Sequence, residues 1–481
     1  MEGKNLGAHF LKTYTKNILS LFGFDAFARV AGFLGTTYLA RVLGGASFGT
    51  VNLGLAALSY GILFTSPGLH IIGTRAISQK QTDDASTIRQ ISSLRGFLAL
   101  ITCVTIVAIS LLAIHDEITQ EVIILYAVSL FPFAFLIDWY FQGTQHLETV
   151  GGSRAVSLVV FVALLFLFVR SPSDIIFVPL AYFVNTTLNS AILFFIYRRR
   201  IGQKDADTPA QPKGMRWREI LHQSIPIGGA AFMGQAVLSF PVILLGIFAT
   251  TIDIADFSVA SKLVFFLLSI DRAIYNLFYP LVARTMVANR QGIAAQVGRI
   301  LGYLLIIALP ISIGGIIVAH PLIRLVFGVQ YQSAGFLLQV LLLYFLFTVL
   351  NSIFAYVVIA AGNEKRYSAI IVTVSGLLLL ALVPLTYFWS AAGAAAGLAL
   401  GECLMMALMY RECLRSVQLR MAVGWIKPFV AAVVMAAVLL VLPATNIFVS
   451  LAVGATSYAA VLTSLKGITK NDLLFLKERL I

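Results

Sequence analysis

Asp253-Ile-Ala-Asp-Phe-Ser-Val-Ala-Ser-Lys-Leu-Val-Phe-Phe-Leu-Leu-Ser-Ile-Asp-Arg-Ala-Ile-Tyr-Asn-Leu-Phe-Tyr-Pro-Leu-Val-Ala-Arg284 decides the reading of the whole chain. Most of this stretch is apolar, and it exceeds the ~20 residues that a helix needs to cross a bilayer. Yet Lys262, Asp271 and Arg272 lie inside it. At about 100° per residue, Ser258, Lys262, Ser269, Arg272 and Asn276 share one face. A charge at mid-bilayer costs at least about 3 kcal/mol, so this stripe cannot face lipid. It is expected to line a hydrated cavity that receives an anionic cargo. The competing account has Lys262 snorkelling to the membrane surface and Arg272 pairing with a neighbouring helix.

The rest of the chain agrees with a membrane setting. Of 481 residues, 59% are hydrophobic and 11% charged, and the mean hydropathy is +0.92. Soluble domains carry about 25% charged residues. The net charge of +13 does not indicate nucleic-acid binding, because the basic residues punctuate apolar segments without forming a face. Fourteen apolar segments are expected, with cores at 17–40, 47–73, 96–114, 121–142, 155–170, 175–197, 223–250, 255–281, 300–319, 333–361, 367–389, 392–410, 428–443 and 447–465. Prolines within them, including Pro67 and Pro132, are expected to kink spans without ending them.

Alternate connections hold 28 of the 34 basic residues, Arg95 counted among them; the opposite connections hold only Arg41, Arg170 and Arg324. This bias places both termini in the cytoplasm and requires an even number of spans. The first apolar segment runs past Arg29 without a small-residue cleavage site, so it is expected to remain as the first span. Cys103, Cys403 and Cys413 have neither metal nor redox spacing and read as ordinary helix residues.

Residues 199–218, beginning within the run Arg198-Arg199-Arg200 and broken by Pro209 and Pro212, form the main linker. The two sides of this linker echo each other. Ala46-Ser-Phe-Gly opens the second span and Ala255-Asp-Phe-Ser the eighth, and Arg75 and Arg284 close them. A parallel repeat follows: six-helix lobes at 1–198 and 219–415, related by a pseudo-two-fold axis along the membrane normal, around a central cavity. Residues 416–465 add two further spans, and 466–481 form an amphipathic tail on the inner membrane surface. The fold class is thus all-α and polytopic.

Other polar residues within spans are candidates for function. Asp25 and Arg29 are i, i+4 partners. They either neutralise each other or line the cleft, Arg29 attracting phosphate and Asp25 holding a proton or cation. Asn52, Ser59, Ser66 and His70 form a stripe on span two, and His70 titrates near neutral pH. Asp271 and Glu402 are intramembrane carboxylates suited to ion coupling or to a protonated, hydrogen-bonded role. Asp138, within Asp-Trp-Tyr-Phe-Gln-Gly, reads as a gate or packing residue with its aromatics in the interfacial belt. Arg41, at the first turn, is placed with it.

Some chemistries find no support. There is no G-x-x-x-x-G-K-[ST] loop for ATP. Asp205-Ala-Asp207 resembles a glycosyltransferase metal pair but sits in a short linker without a nucleotide-binding domain. Neither an enzyme nor a cofactor is expected, and coupling would use H+ or Na+.

Several motifs carry a family resemblance. They are Tyr38-Leu-Ala-Arg-Val-Leu-Gly-Gly-Ala-Ser-Phe-Gly, Gly68-Leu followed by Gly73-Thr-Arg75, Asp138-Trp-Tyr-Phe-Gln-Gly, Leu325-Val-Phe-Gly-Val-Gln-Tyr331 and Ala361-Gly-Asn-Glu-Lys-Arg366. Together these resemble the lipid-linked oligosaccharide flippases, or polysaccharide transporters, of the multidrug/oligosaccharidyl-lipid/polysaccharide exporter superfamily. The resemblance implies two six-helix lobes in a V. It also implies carriage of an undecaprenyl-pyrophosphate-linked sugar from the cytoplasmic to the outer leaflet, for O-antigen or another surface polysaccharide. The location implied is a bacterial or archaeal cytoplasmic (inner) membrane, and the partners are membrane lipids, glycosyltransferases and a polysaccharide polymerase. The cationic cavity residues typical of such proteins match Arg29, Lys262 and Arg272, with Ser269 and Asn276 beside them. The alternatives are a cation-coupled small-molecule antiporter of the same superfamily, whose cavity should be acidic, a lipid II-type flippase, and a sugar polymerase.

Overall fold

The computed structural model describes residues 2–79, 83–201, 217–288, 293–416, 425–441 and 446–467. The linker at 202–216 and the tail at 468–481 lie outside them, so the Asp205–Asp207 pair and the amphipathic tail do too. The helices are α1 (Glu2–Thr65), α2 (Leu69–Ser78), α3 (Asp84–Ala113), α4 (Glu117–Val128), α5 (Leu130–Ala134), α6 (Asp138–Gly143), α7 (Leu147–Phe168) and α8 (Phe177–Ile201). They continue with α9 (Trp217–Phe248), α10 (Thr251–Ala288), α11 (Ile293–Leu309), α12 (Gly315–Phe327), α13 (Ala334–Ala360), α14 (Glu364–Ser416), α15 (Ile426–Val441) and α16 (Ile447–Ser464). No strand occurs among the described residues.

Nine helical stretches among those residues are long and apolar enough to cross a membrane. Two of them are too long for one crossing. The stretch Glu364–Arg415 has 52 residues, or about 78 Å of helix against a ~30 Å hydrocarbon core. It breaks at Ser390 (φ 49°, ψ −133°). Beyond the break, Gly393, Gly397 and Gly401 approach Leu385, Leu382 and Leu378 in turn. Residue numbers that rise on one arm as they fall on the other define an antiparallel hairpin. α1 breaks likewise at Gly44 (φ 77°), a backbone setting that disfavours a side chain. With each of these helices counted as two, with α4–α6 and α11–α12 as one each and with the short α2 left out, the described residues form fourteen helical stretches, the number of the apolar segments.

Two expectations about prolines need correction. Span two does not run on to residue 73. It ends at Thr65, and after Pro67 and Gly68 the chain restarts as the short helix α2. Pro132 accompanies a true break, because α4, α5 and α6 are separate pieces. At the second break the carbonyls of Pro132 and Leu136 accept from Ser190 of α8 and Arg95 of α3, which is how a membrane protein tolerates irregular backbone. Pro226 and Pro241 stay inside α9, as expected.

Turn caps set several of the helix ends. Asp83 accepts from Ser86 N–H (2.8 Å) ahead of α3, and Asp116 accepts from Thr119 N–H (2.9 Å) ahead of α4. Asp174, between α7 and α8, accepts from the N–H groups of Arg170 and Ser171 (3.0 and 2.9 Å). The Ser171 hydroxyl, together with those bonds, holds its carboxyl below the usual carboxylate range.

Contacts divide the chain into two compact units, Met1–Ala255 and Asp256–Ile481. In the first, α1 packs on α3, α4, α7 and α9. A core joins Leu69 and Ile77 of α2, Ile91 and Leu94 of α3, Trp139 and Phe141 of α6, and Leu193 of α8. In the second, α13 packs against α11, α12 and α14, and α15 and α16 pack together. Phe48 and Phe257, the matched residues of the sequence echo, are both buried.

Candidate functional site

In the second unit, α13 brings two predicted carboxylates to neighbouring positions. The Asn351 side-chain amide donates to Glu402 Oε1 (2.8 Å). Ser352 Oγ lies 2.7 Å from Asp271 Oδ1 and 2.9 Å from the Val349 carbonyl of its own helix. Asp271 belongs to α10 and Glu402 to the second arm of α14, so consecutive residues of α13 tie three helices together. Asp271 is near enough to act electrostatically on Glu402. Asn351 Oδ1 is buried without a hydrogen-bond partner among the described residues. The result is an acceptor-rich polar cluster inside apolar helices. Glu402 reaches it because the hairpin glycines, ending at Gly401, let the two arms of α14 approach closely.

Neither Asn351 nor Ser352 was among the candidates read from the sequence. Their signal was present, since they form the only adjacent polar pair in the interior of a 27-residue apolar helix. Polar groups in such a place find partners or carry function. Replacing Asn351 by leucine is expected to lower stability by about 1–2 kcal/mol, since it leaves a partly buried carboxyl oxygen unmatched. Glu402→Gln keeps the acceptor and is expected to change stability far less; thermal unfolding in detergent compares the two.

The α10 stripe is partly described. Ser258 is buried, and its hydroxyl has no partner among the described residues. Lys262 and Ser269 are partly buried. Ser269 Oγ donates to the Phe266 carbonyl of its own helix (2.6 Å). The side chains of Arg272, Asn276 and Asp25 lie outside those described, while Arg29 is partly buried on α1. In span two, Asn52 and Ser59 turn back on the carbonyls of Phe48 (2.7 Å) and Leu55 (2.9 Å).

A second polar group forms in the first unit. Arg95 is 1% exposed, which corrects its assignment to a loop. Its Nη1 donates to the Leu136 carbonyl (2.8 Å), and its guanidinium lies 4.7 Å from the Phe133 ring centroid. The break before α6 explains this contact: Tyr140 N–H bonds the Ile137 carbonyl and Leu136 N–H bonds that of Phe133. Arg95 thus supplies a donor to a carbonyl at the gap. Ser190 similarly donates to the Pro132 carbonyl (2.8 Å).

Asp138 begins α6 and accepts from Trp139 N–H (2.9 Å). Its charge and that of Arg95 both act on His70, which is exposed in the first turn of α2. The aromatics around Asp138 are not an interfacial belt. Trp139 and Phe141 are fully buried, and Gly73 of α2 lies so close that a Cβ there would stand 2.4 Å from the Trp139 ring. Arg41 is exposed on α1, three residues before the Gly44 break.

Comparisons with known proteins show what the chain and its fold are similar to. The model of the family described as polysaccharide biosynthesis protein matches residues 14–286. The chain is 25% identical over 386 residues to the "Putative O-antigen transporter" of Escherichia coli (strain K12), covering 77% of this chain and 90% of that protein. It is 23% identical over 414 residues to the "Putative O-antigen transporter" of Shigella dysenteriae, covering 82% and 99%. Among solved structures, the fold is similar to the lipid II flippase MurJ in an inward closed conformation, with a TM-score of 0.74, 14% identity, and 94% and 99% of the two chains covered. It is also similar to an inward-facing multidrug resistance MATE family transporter of the MOP superfamily, with a TM-score of 0.62, 14% identity, and 81% and 94% covered.

Proposed function

The chain belongs to the polysaccharide biosynthesis protein family, and from that premise we propose that it flips a polyprenyl-pyrophosphate-linked oligosaccharide from the cytoplasmic to the outer leaflet. The observation that carries this reading is the similarity to two proteins each named "Putative O-antigen transporter", along most of the chain and most of theirs. The fold likeness to a lipid II flippase agrees with it. The cargo is a sugar headed by a diphosphate, destined for O-antigen or a related surface polysaccharide. Its donors would be glycosyltransferases and its acceptor a polymerase. The setting is the inner membrane, with both termini in the cytoplasm.

The cationic side chains have the role of offsetting the desolvation of the diphosphate. Charge-assisted hydrogen bonds to phosphate suit arginine best, with lysine acting as a point charge. Arg29, Lys262 and Arg272 are the residues assigned, with Ser269 and Asn276 contacting sugar. Asp271 and Glu402 are assigned to coupling. Two carboxylates in one apolar environment repel each other, and a proton or sodium ion bound between them relieves that repulsion. Asp25 and His70 are secondary coupling positions.

The test is complementation of a strain that lacks its own transporter. Arg29→Ala and Arg272→Ala should each reduce surface polysaccharide by about tenfold or more at unchanged protein level, the loss expected from one charge-assisted hydrogen bond. Wild-type polysaccharide in both variants would overturn the assignment of the cationic residues.

A further inference from the structure

The ninth span is interrupted. Between α11 and α12, residues Pro310–Gly314 form a π-helical turn, wider than the α-helix on either side. Pro310 explains why the interruption lies here. It has no N–H, so it cannot donate to the carbonyl four residues earlier, that of Ile306, and its ring crowds the preceding turn.

The missing donor comes from far away in sequence. The Tyr458 hydroxyl of α16 donates to the Ile306 carbonyl at 3.0 Å, across 152 residues. The surrounding packing is centred on the same place. Met435 of α15 lies against Gly314, where a Cβ would stand 3.2 Å from its methyl. Leu305 and Leu309 share a buried cluster with Ala431, Ala432, Met435, Leu439, Tyr458 and Leu462. On another side of the turn, Leu342 of α13 approaches Gly315 (2.8 Å to a Cβ there), and Gln339 donates to the Ile316 carbonyl (2.9 Å). The two last helices are therefore seated on a turn of this span whose regular hydrogen bonding is forbidden by Pro310.

We infer that α15 and α16 are a clasp that holds the ninth span bent at its π-turn, with the Tyr458 hydroxyl replacing the backbone donor absent at Pro310. The final pair is thus part of the second unit's framework, with a specific structural task. Within hydrocarbon no water can take over a released carbonyl, so loss of this donor should loosen the turn. This inference does not depend on what the chain transports.

The test is a double-mutant cycle on the full-length protein, read as local hydrogen exchange and thermal unfolding in detergent. Tyr458→Phe removes only the hydroxyl. It should speed amide exchange several-fold across residues 306–316 and lower the apparent Tm by about 2 °C. In a Pro310→Ala background the new N–H serves Ile306, and Tyr458→Phe should then change neither quantity appreciably. Ser457→Ala is the control, because that hydroxyl donates to the Gly454 carbonyl of its own helix (3.0 Å). It should leave residues 306–316 unaffected. Equal effects of Tyr458→Phe in both backgrounds would overturn the inference. So would a Tyr458→Phe effect spread evenly over the second unit, a comparison with Ser457→Ala that stands even if Pro310→Ala fails to fold.

Discussion

Arg95→Ala is expected to destabilise the first unit by about 3–5 kcal/mol, enough to deplete folded protein in cells. Two effects of opposite sign compete. Burying a guanidinium is costly, and an apolar residue of similar shape at such a site can be neutral or even stabilising. Against that, Arg95 donates to the Leu136 carbonyl and stacks on Phe133. The carbonyl decides the outcome. It stands at the break before α6, and leaving it unmatched costs about 1–3 kcal/mol. The lost cation–π contact adds up to about 2 kcal/mol when desolvated, and alanine also leaves a cavity. Arg95→Met separates these contributions, since it keeps volume and removes both charge and donor. Unfolding in detergent should rank wild type above Met and Met above Ala. A methionine variant more stable than wild type would show that desolvation outweighs the hydrogen bond.

The α14 hairpin should be the second most sensitive place. A Cβ on Gly393 would stand 1.9 Å from the Leu385 carbonyl oxygen, a backbone atom that cannot rotate away. At Gly397 and Gly401 the nearest atoms are leucine side-chain ends, at 2.7 Å from Leu382 and 2.9 Å from Leu378. Overpacking typically costs about 1–3 kcal/mol and more where backbone must move. Gly393→Ala is therefore expected to cost about 3 kcal/mol or more, with Gly397→Ala intermediate and Gly401→Ala near 1 kcal/mol. The same series should affect transport in the order of its effect on stability, because the hairpin sets where Glu402 stands relative to Asn351. A flat response across the three positions would show that the arms separate without penalty.

These two cases explain what reading along the chain could and could not see. Gly393, Gly397 and Gly401 are spaced four apart, the small-residue pattern that lets membrane helices approach. That pattern is visible in the sequence, although only the fold names Leu385 as the neighbour. Arg95 shows the reverse. It borders a basic connection, and the count of loop charges took it as one more of them. Its burial depends on a break 41 residues away, which no local pattern reveals. The aromatics around Asp138 were similarly given to the membrane interface, because aromatic residues near a helix end usually belong there. Gly73 and α2 cover them instead.

The amino-acid sequence by itself determined the membrane-spanning class, the fourteen passes, and the intramembrane residues most in need of explanation. These follow from hydropathy, length and charge placement, properties each segment carries without reference to its neighbours. Tertiary structure alone decided which polar groups meet. Asn351 and Ser352 join Glu402 to Asp271, Arg95 serves Leu136, and Tyr458 serves Ile306. Each is a donor on one helix brought to an acceptor on a different segment, and in three of these four contacts the partners are more than fifty residues apart. In an apolar interior without water, a polar group must find its partner within the protein, and packing determines which one it finds.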